Sequence, residues 1–344
     1  MILRHSADGK YEIYDLGNNT ILAAFQLGQV GTDWRFVGLG GFFGNDTTDM
    51  LLRNANTGGF EVYDISNNNV TKAAFLGNVG MEWQVMGFGN FSSFGENDMI
   101  LRNANNGGVE VYDIRNNQII GASFMGTVGL DWQFSGIGNF SSRGTSDMLL
   151  RNANNGGLEV YDIDSNAITG AAFLGTVGLD WQFSGVGNFS GAPGESDLLL
   201  RNIHTGGMEI YDINNNQITN AVFIGTVGLD WQFAGIAPIH SPGASDLVLR
   251  NVNTGQFEVY DIAGNQLIGA ALLGQVGLDW QLGGFAVDPP TAPAGSMDDS
   301  SQIAQLTQAM AGFGGGSGAT DGVNTVPLGA DASQQPLLTT PQHA

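Results

Sequence analysis

Six tryptophans, at Trp34, Trp83, Trp132, Trp181, Trp231 and Trp280, follow one another at intervals of 49, 49, 49, 50 and 49 residues. Two further columns keep the same period. One is an arginine at Arg4, Arg53, Arg102, Arg151, Arg201 and Arg250. The other is a Tyr-Asp pair at Tyr14-Asp15, Tyr63-Asp64, Tyr112-Asp113, Tyr161-Asp162, Tyr211-Asp212 and Tyr260-Asp261. Three residue types holding one period over some 280 residues identify a tandem array, and an array constrains the fold more than any single motif does.

Each unit reads as four short strands. In the unit opening at Asp147, residues 147–152 form an apolar run, and Ala153-Asn-Asn-Gly-Gly157 supplies turn chemistry. Residues 158–163 then alternate with period two. Residues 164–166 make a second turn, residues 168–174 give a third strand, and Trp181–Gly187 gives a fourth. Four antiparallel strands in 40 to 50 residues is the size of a propeller blade. The Trp-led strand is rich in small residues, as at Ser184, Gly185 and Gly187. Glycine inside a strand marks close approach of a second backbone, so this strand is assigned to the crowded innermost position.

The units are also offset. Met1 aligns with Met50, so the chain enters on the second strand of a blade, and Trp280 to Phe285 is left to supply the missing innermost strand. The expected fold is therefore all-β: a six-bladed β-propeller of four-stranded antiparallel blades, closed by its C-terminal strand and leaving no free sheet edge.

The net charge of −22 arises largely from the repeat. Acids recur before each tryptophan (Asp33, Glu82, Asp131, Asp180, Asp230, Asp279), in each Tyr-Asp pair, and at Glu12, Glu61, Glu110, Glu159, Glu209 and Glu258. Five units add Asp49, Asp98, Asp147, Asp197 and Asp246, and together these columns hold 23 of the 33 acidic residues. With only Lys10 and Lys72 as lysines, such a surface repels phosphate backbones, which argues against a nucleic-acid partner. No apolar run reaches the length of a membrane span. Cysteine is absent, and the first residues lack the pattern of a classical signal peptide.

The order Trp181-Gln-Phe-Ser-Gly-Val-Gly-Asn-Phe, then Ser196-Asp197-Leu-Leu-Leu-Arg-Asn-Ile-His-Thr-Gly207, resembles the FG-GAP or VCBS-type repeats of bacterial secreted proteins, the repeat class of the integrin α-chain propeller. The resemblance spans residues 1–286. It implies a non-enzymatic, secreted or cell-surface binding or adhesion module with a protein or glycan ligand. With no classical leader in the first residues, export is expected by a non-classical route or through a C-terminal signal. It also implies calcium loops of the form Asp-x-Asp-x-Asp-Gly-x-x-Asp. The residues left here to serve them are Asn45, Asp46, Asp49, Asn90, Asp98, Asn139, Asp147, Asn188 and Asp197. Phe94 and Arg143 stand where a carboxylate is wanted, and Pro193 interrupts a third loop. Calcium takes six to eight oxygens, so calcium in such loops is expected to be weak, and no other cofactor is implied.

The arginine column, set among repeated acids, suggests strand-locking ion pairs. The Tyr and Trp columns suggest packing between blades. Asn90, Asn139 and Asn188 each begin an Asn-Phe-Ser triplet and read as turn residues rather than glycosylation acceptors. His5, His204, His240 and His343 share no repeat position, so no catalytic residue is assigned. An alternative reading is a multivalent glycan-binding lectin. A hydrolase is a third, and it would break the symmetry in one unit, where the irregular loop Ala237–Ser245 is the first place to look. Beyond the array, residues 287–344 read as a largely disordered Pro/Gly/Ser/Ala-rich tail with a short amphipathic helix at 301–312. A monomeric propeller is expected.

Overall fold

Two-residue turns with both central residues at positive φ set the hairpins. Asn18-Asn19, Asn67-Asn68, Asn116-Asn117, Ser165-Asn166, Asn215-Asn216 and Gly264-Asn265 all adopt φ between 47° and 59°. This is the type I′ turn whose twist matches a right-handed β-ribbon, and asparagine tolerates it better than other side chains.

The computed structural model describes residues 1–43, 48–92 and 97–287; the tail and its proposed helix lie outside them. The chain opens with β1 (Ile2–His5), β2 (Lys10–Gly17) and β3 (Thr20–Gln29). The next blade is β4 (Trp34–Gly40), β5 (Asp49–Asn54), β6 (Gly59–Ser66) and β7 (Asn69–Asn78). It is followed by β8 (Trp83–Gly89), β9 (Asp98–Asn103), β10 (Gly108–Arg115) and β11 (Gln118–Thr127). The fourth set is β12 (Trp132–Gly138), β13 (Asp147–Asn152), β14 (Gly157–Asp164) and β15 (Ala167–Thr176). Then come β16 (Trp181–Gly187), β17 (Asp197–Asn202), β18 (Gly207–Asn214) and β19 (Gln217–Thr226). The last are β20 (Trp231–Ala237), β21 (Asp246–Asn251), β22 (Gln256–Ala263), β23 (Gln266–Gln275) and β24 (Trp280–Gly284).

Every sheet has four antiparallel strands in chain order except one, ordered β24-β1-β2-β3. There Leu3 lies opposite Leu282, and His5 opposite Trp280. The ring therefore closes as the offset predicts: six blades, all-β, with both ends of the repeat array in one sheet.

Each Trp-led strand contacts the Trp-led strands of both neighbouring blades, round the whole ring. Glycine makes that approach possible. A Cβ on Gly38 would lie 2.4 Å from the Phe88 ring of the next blade, and one on Gly185 would lie 2.8 Å from Ile236 Cγ1, at a φ of +149°. Gly185→Ala therefore meets both a neighbour and an unfavourable backbone conformation. It is expected to cost about 2–4 kcal/mol, read as a lower midpoint in urea at unchanged slope.

Fourth strands also touch from blade to blade, as β23 and β3 do. A Cβ on Gly274, near the end of β23, would lie 3.3 Å from Ile21 Cδ1 at the start of β3.

The core lies between blades. One cluster joins Met86, Phe91 and Ile100 of one blade to Ile137, Met148 and Tyr161 of the next, so Tyr161 packs between blades as its column suggested. Each turn asparagine then clasps the preceding blade. Asn68 Nδ2 donates to Asp15 at 2.9 Å, Asn117 to Asp64 at 2.6 Å, Asn166 to Asp113 at 2.6 Å, Asn216 to Asp162 at 2.7 Å and Asn265 to Asp212 at 2.8 Å. Asn19 completes the circuit with Asp261 at 2.8 Å. The aspartate of each Tyr-Asp pair is thus an interblade acceptor.

Candidate functional site

The loops between the Trp-led strand and the Asp-led strand carry most of the sequence-predicted ligands. The column aspartates in them are fully buried, and their oxygens face main-chain donors. Asp98 Oδ2 accepts the N–H groups of Phe91 at 2.9 Å and Ser92 at 2.7 Å, and its Oδ1 accepts Ile114 N–H at 3.3 Å. Asp49 does the same with Phe42, Phe43 and Ile65. Asp147 takes Ser141 N–H at 2.7 Å, the Thr145 hydroxyl at 2.9 Å and Ile163 N–H at 3.4 Å. Asp197 accepts Ser190 N–H at 2.7 Å. Each carboxylate fastens its loop to the start of the second strand and, at Asp49, Asp98 and Asp147, to the end of the third as well. Burial pushes Asp98 and Asp147 up to about 6 and Asp197 up to about 7, against the opposing pull of their N–H donors.

The asparagines of these loops are likewise engaged within the fold. Asn139 Nδ2 donates to Gly194 O of the next blade, and its Oδ1 accepts Gly144 N–H. Asn188 Oδ1 accepts Gly191 N–H, and its Nδ2 donates to Ala192 O. Asn90 N–H donates to Ser146 Oγ of the next blade at 3.1 Å. Asn45 and Asp46 lie outside the described residues.

The arginine column is structural, but its partners are carbonyls rather than carboxylates. Arg53 donates to the carbonyls of Val79, Gly80 and Trp83, and Arg102 to those of Val128, Gly129 and Trp132. These carbonyls lie where one blade passes to the next: those of Val79, Gly80, Val128 and Gly129 are in the link, where Gly80 and Gly129 also accept the N–H of Trp83 and Trp132, and those of Trp83 and Trp132 open β8 and β12. The acids before the tryptophans take a different donor: Asn152 Nδ2 donates to Asp131 at 2.7 Å, and Asn251 Nδ2 to Asp230 at 2.7 Å.

His5 replaces that asparagine where the ring closes. Its Nε2 lies 3.0 Å from Asp279 Oδ2 and its Nδ1 2.6 Å from Asp8 Oδ1. Hydrogen bonds to both carboxylates raise its pKa above the ordinary 6.5. A raised value in the fold means that the stabilisation is full below pH 6.5 and disappears as pH rises through the folded-state value. The melting-temperature advantage of the wild type over His5→Asn is therefore expected to be greater at pH 5.5 than at pH 8.5.

What the fold leaves outward is an apolar column absent from the sequence reading. On the fourth strands Phe75, Phe124, Phe173, Phe223 and Leu272 are each about 60% exposed. Each phenylalanine lies across from the glutamate of the neighbouring strand: Glu61, Glu110, Glu159 and Glu209. The rings rest on a glycine. A Cβ on Gly59, Gly108, Gly157 or Gly207 would lie 2.9–3.3 Å from the ring. Where that residue is Gln256 or Lys10, the position of the ring is taken by Leu272 or Gln26. Met81, Leu179, Leu229 and Leu278, in the turns that follow the fourth strands, are also about half exposed. The sequence signal was present: the phenylalanines recur with the repeat, but inside apolar runs that read as buried.

No protein-family model matches the sequence, and no curated protein matches it either. Solved structures do. A chain of a nidogen/laminin complex aligns over 78% of this chain and 92% of its own, at 15% identity and a TM-score of 0.49. A calcium-binding protein, regucalcin from Agrobacterium tumefaciens, aligns over 69% and 74%, at 10% identity and a TM-score of 0.43. The Swd1 β-propeller domain from Myceliophteria thermophila aligns over 76% and 79%, at 9% identity and a TM-score of 0.42.

Proposed function

We propose that this propeller is a non-enzymatic binding module that holds a repetitive ligand along the exposed apolar column of its fourth strands. One observation carries the reading: large apolar side chains, four of them phenylalanines, recur at one outward position in five consecutive blades without contributing to the core. Exposed aromatic groups with supporting polar partners are what binding surfaces concentrate. A series of equivalent weak sites on one rigid ring gives avidity without any single strong contact.

The pairing of each ring with a glutamate favours a saccharide polymer over a folded protein as ligand. A sugar presents C–H faces to stack on the ring and hydroxyls to donate to the carboxylate, and Glu61, Glu110 and Glu209 already accept the hydroxyl of their column tyrosine. The FG-GAP or VCBS-type resemblance supports a location outside the cell or on its surface. Protease shaving of intact source cells tests that location: protection of the protein until the cells are lysed would rule it out.

Binding to a glycan array is the test of ligand class. Successive Phe→Ser changes at positions 75, 124, 173 and 223 are expected to lower avidity roughly tenfold per pair removed while leaving the melt unchanged. No binding to any glycan, or binding indifferent to all four changes, would sink the reading.

A further inference from the structure

We propose that His240, Asp246 and Asp261 bind one divalent first-row metal ion, represented by Zn²⁺. The three residues come from one blade. His240 lies in the loop after β20, Asp246 opens β21, and Asp261 sits on β22. One ligand atom from each falls within 4.8 Å of the others. Asp246 is fully buried and Asp261 is 8% exposed, while the half-buried His240 leaves a path from solvent.

The second observation is an unsatisfied oxygen. Asp261 Oδ2 accepts Asn19, but its Oδ1 is buried without any hydrogen-bond partner. A buried carboxylate oxygen left unpaired is costly, and two of the other blades set a cation near the same aspartate, although Asp64 there keeps an unpartnered Oδ2. Asp162 has the Arg143 guanidinium at 3.6 Å. Asp64 has Lys72 across the strand pair, and its attraction favours the charged form. In this blade the residue opposite Asp261 is Gly269. Two carboxylates therefore converge without a lysine or arginine, and an imidazole stands beside them.

The donor set selects the ion. One nitrogen with two carboxylate oxygens suits a borderline divalent ion such as Zn²⁺; calcium prefers six or more oxygens. Ligands at about 2.0–2.1 Å from one ion lie roughly 3 Å apart. The His240 Nδ1 to Asp246 Oδ1 contact of 2.6 Å then opens by a small rotation of the ring. Three protein ligands leave a position for water. The site breaks the sixfold symmetry because the other four loops place Phe43, Ser92, Ser141 or Ser190 where this one places His240, each with its N–H on the column aspartate.

The test uses the full chain stripped with EDTA. Calorimetric titration with Zn²⁺, and Co²⁺ titration followed by its visible d–d absorption, are expected to show one ion per chain. His240→Ser installs the residue of three other blades, so it is expected to keep the melt in EDTA while weakening uptake at least thirtyfold. Asp261→Asn weakens uptake as well, and His5→Asn leaves it unchanged. Absence of stoichiometric uptake, or uptake equally tight in His240→Ser, overturns the proposal.

Discussion

A chain ending at Asp279 is expected to lose cooperative unfolding altogether, where a chain ending at Val287 retains it. The eight residues between these ends hold β24, the strand that pairs with β1 and completes the closing blade. They also hold Phe285, 1% exposed, whose ring lies where a Cβ on Gly235 of the preceding blade would be only 2.6 Å away. Losing the full burial of Phe285 and the partial burial of Trp280 and Leu282 removes on the order of 5 kcal/mol, at about 1.5–3 kcal/mol per fully buried apolar side chain. That is comparable with the whole stability of an ordinary domain. It also bares Ile2 and Leu3 along an unpaired edge, so the shortened chain is expected to aggregate. Near-ultraviolet circular dichroism during a urea titration distinguishes the two chains. A sharp, native-like transition in the shorter one would mean that five blades hold their ring without closure.

Asp147→Ala is expected to destabilise the protein by about 3–5 kcal/mol, although no enzymatic role is assigned to this residue. The substitution strands the N–H groups of Ser141 and Ile163 and the hydroxyl of Thr145, in surroundings where the aspartate itself is fully buried. Asp164→Ala, on an exposed aspartate at the end of the next strand, serves as the control and is expected to shift stability by less than about 0.5 kcal/mol. Equilibrium denaturation of the two variants side by side is sufficient. Equal effects would show that loop fastening contributes nothing beyond the lost charge. The same carboxylate also titrates above its ordinary range, near 6. The stabilisation it draws from protonation is full below about pH 4 and lost as pH rises through 6, and the variant lacks that dependence.

The ring was legible in the sequence because three residue types kept one period and because the chain entered the period one strand late. The glycines of the Trp-led strand gave its inner place by a steric argument that Gly38 and Gly185 bear out. The arginine partners were not legible. An arginine among repeated acids suggests ion pairs, but sequence does not reveal that the Arg53 guanidinium reaches the carbonyls of Val79, Gly80 and Trp83 at the passage from one blade to the next. Phe173 was hidden for a related reason: an Ala-Ala-Phe-Leu run reads as core, and only its position on an outermost strand turns the ring to solvent. His240 has no counterpart in the repeat and sits in the irregular loop Ala237–Ser245. Its neighbour Asp261 belongs to a column whose other members are interblade acceptors, so nothing in the periodicity set it apart.

The joining of β24 to β1 also has a consequence for synthesis. Ile2 and Leu3 leave the ribosome about 280 residues before their partner strand. At roughly 5–20 residues per second that is a delay on the order of 15–55 s. During it the nascent chain carries an apolar strand edge whose sequence, Met-Ile-Leu-Arg, is nearly that of the second strand of every later blade. Each of those blades can therefore capture the wrong edge, within the chain or from a neighbouring chain on the same messenger. The leading three strands, rather than the finished ring, are the part of this architecture most exposed to mispairing during synthesis.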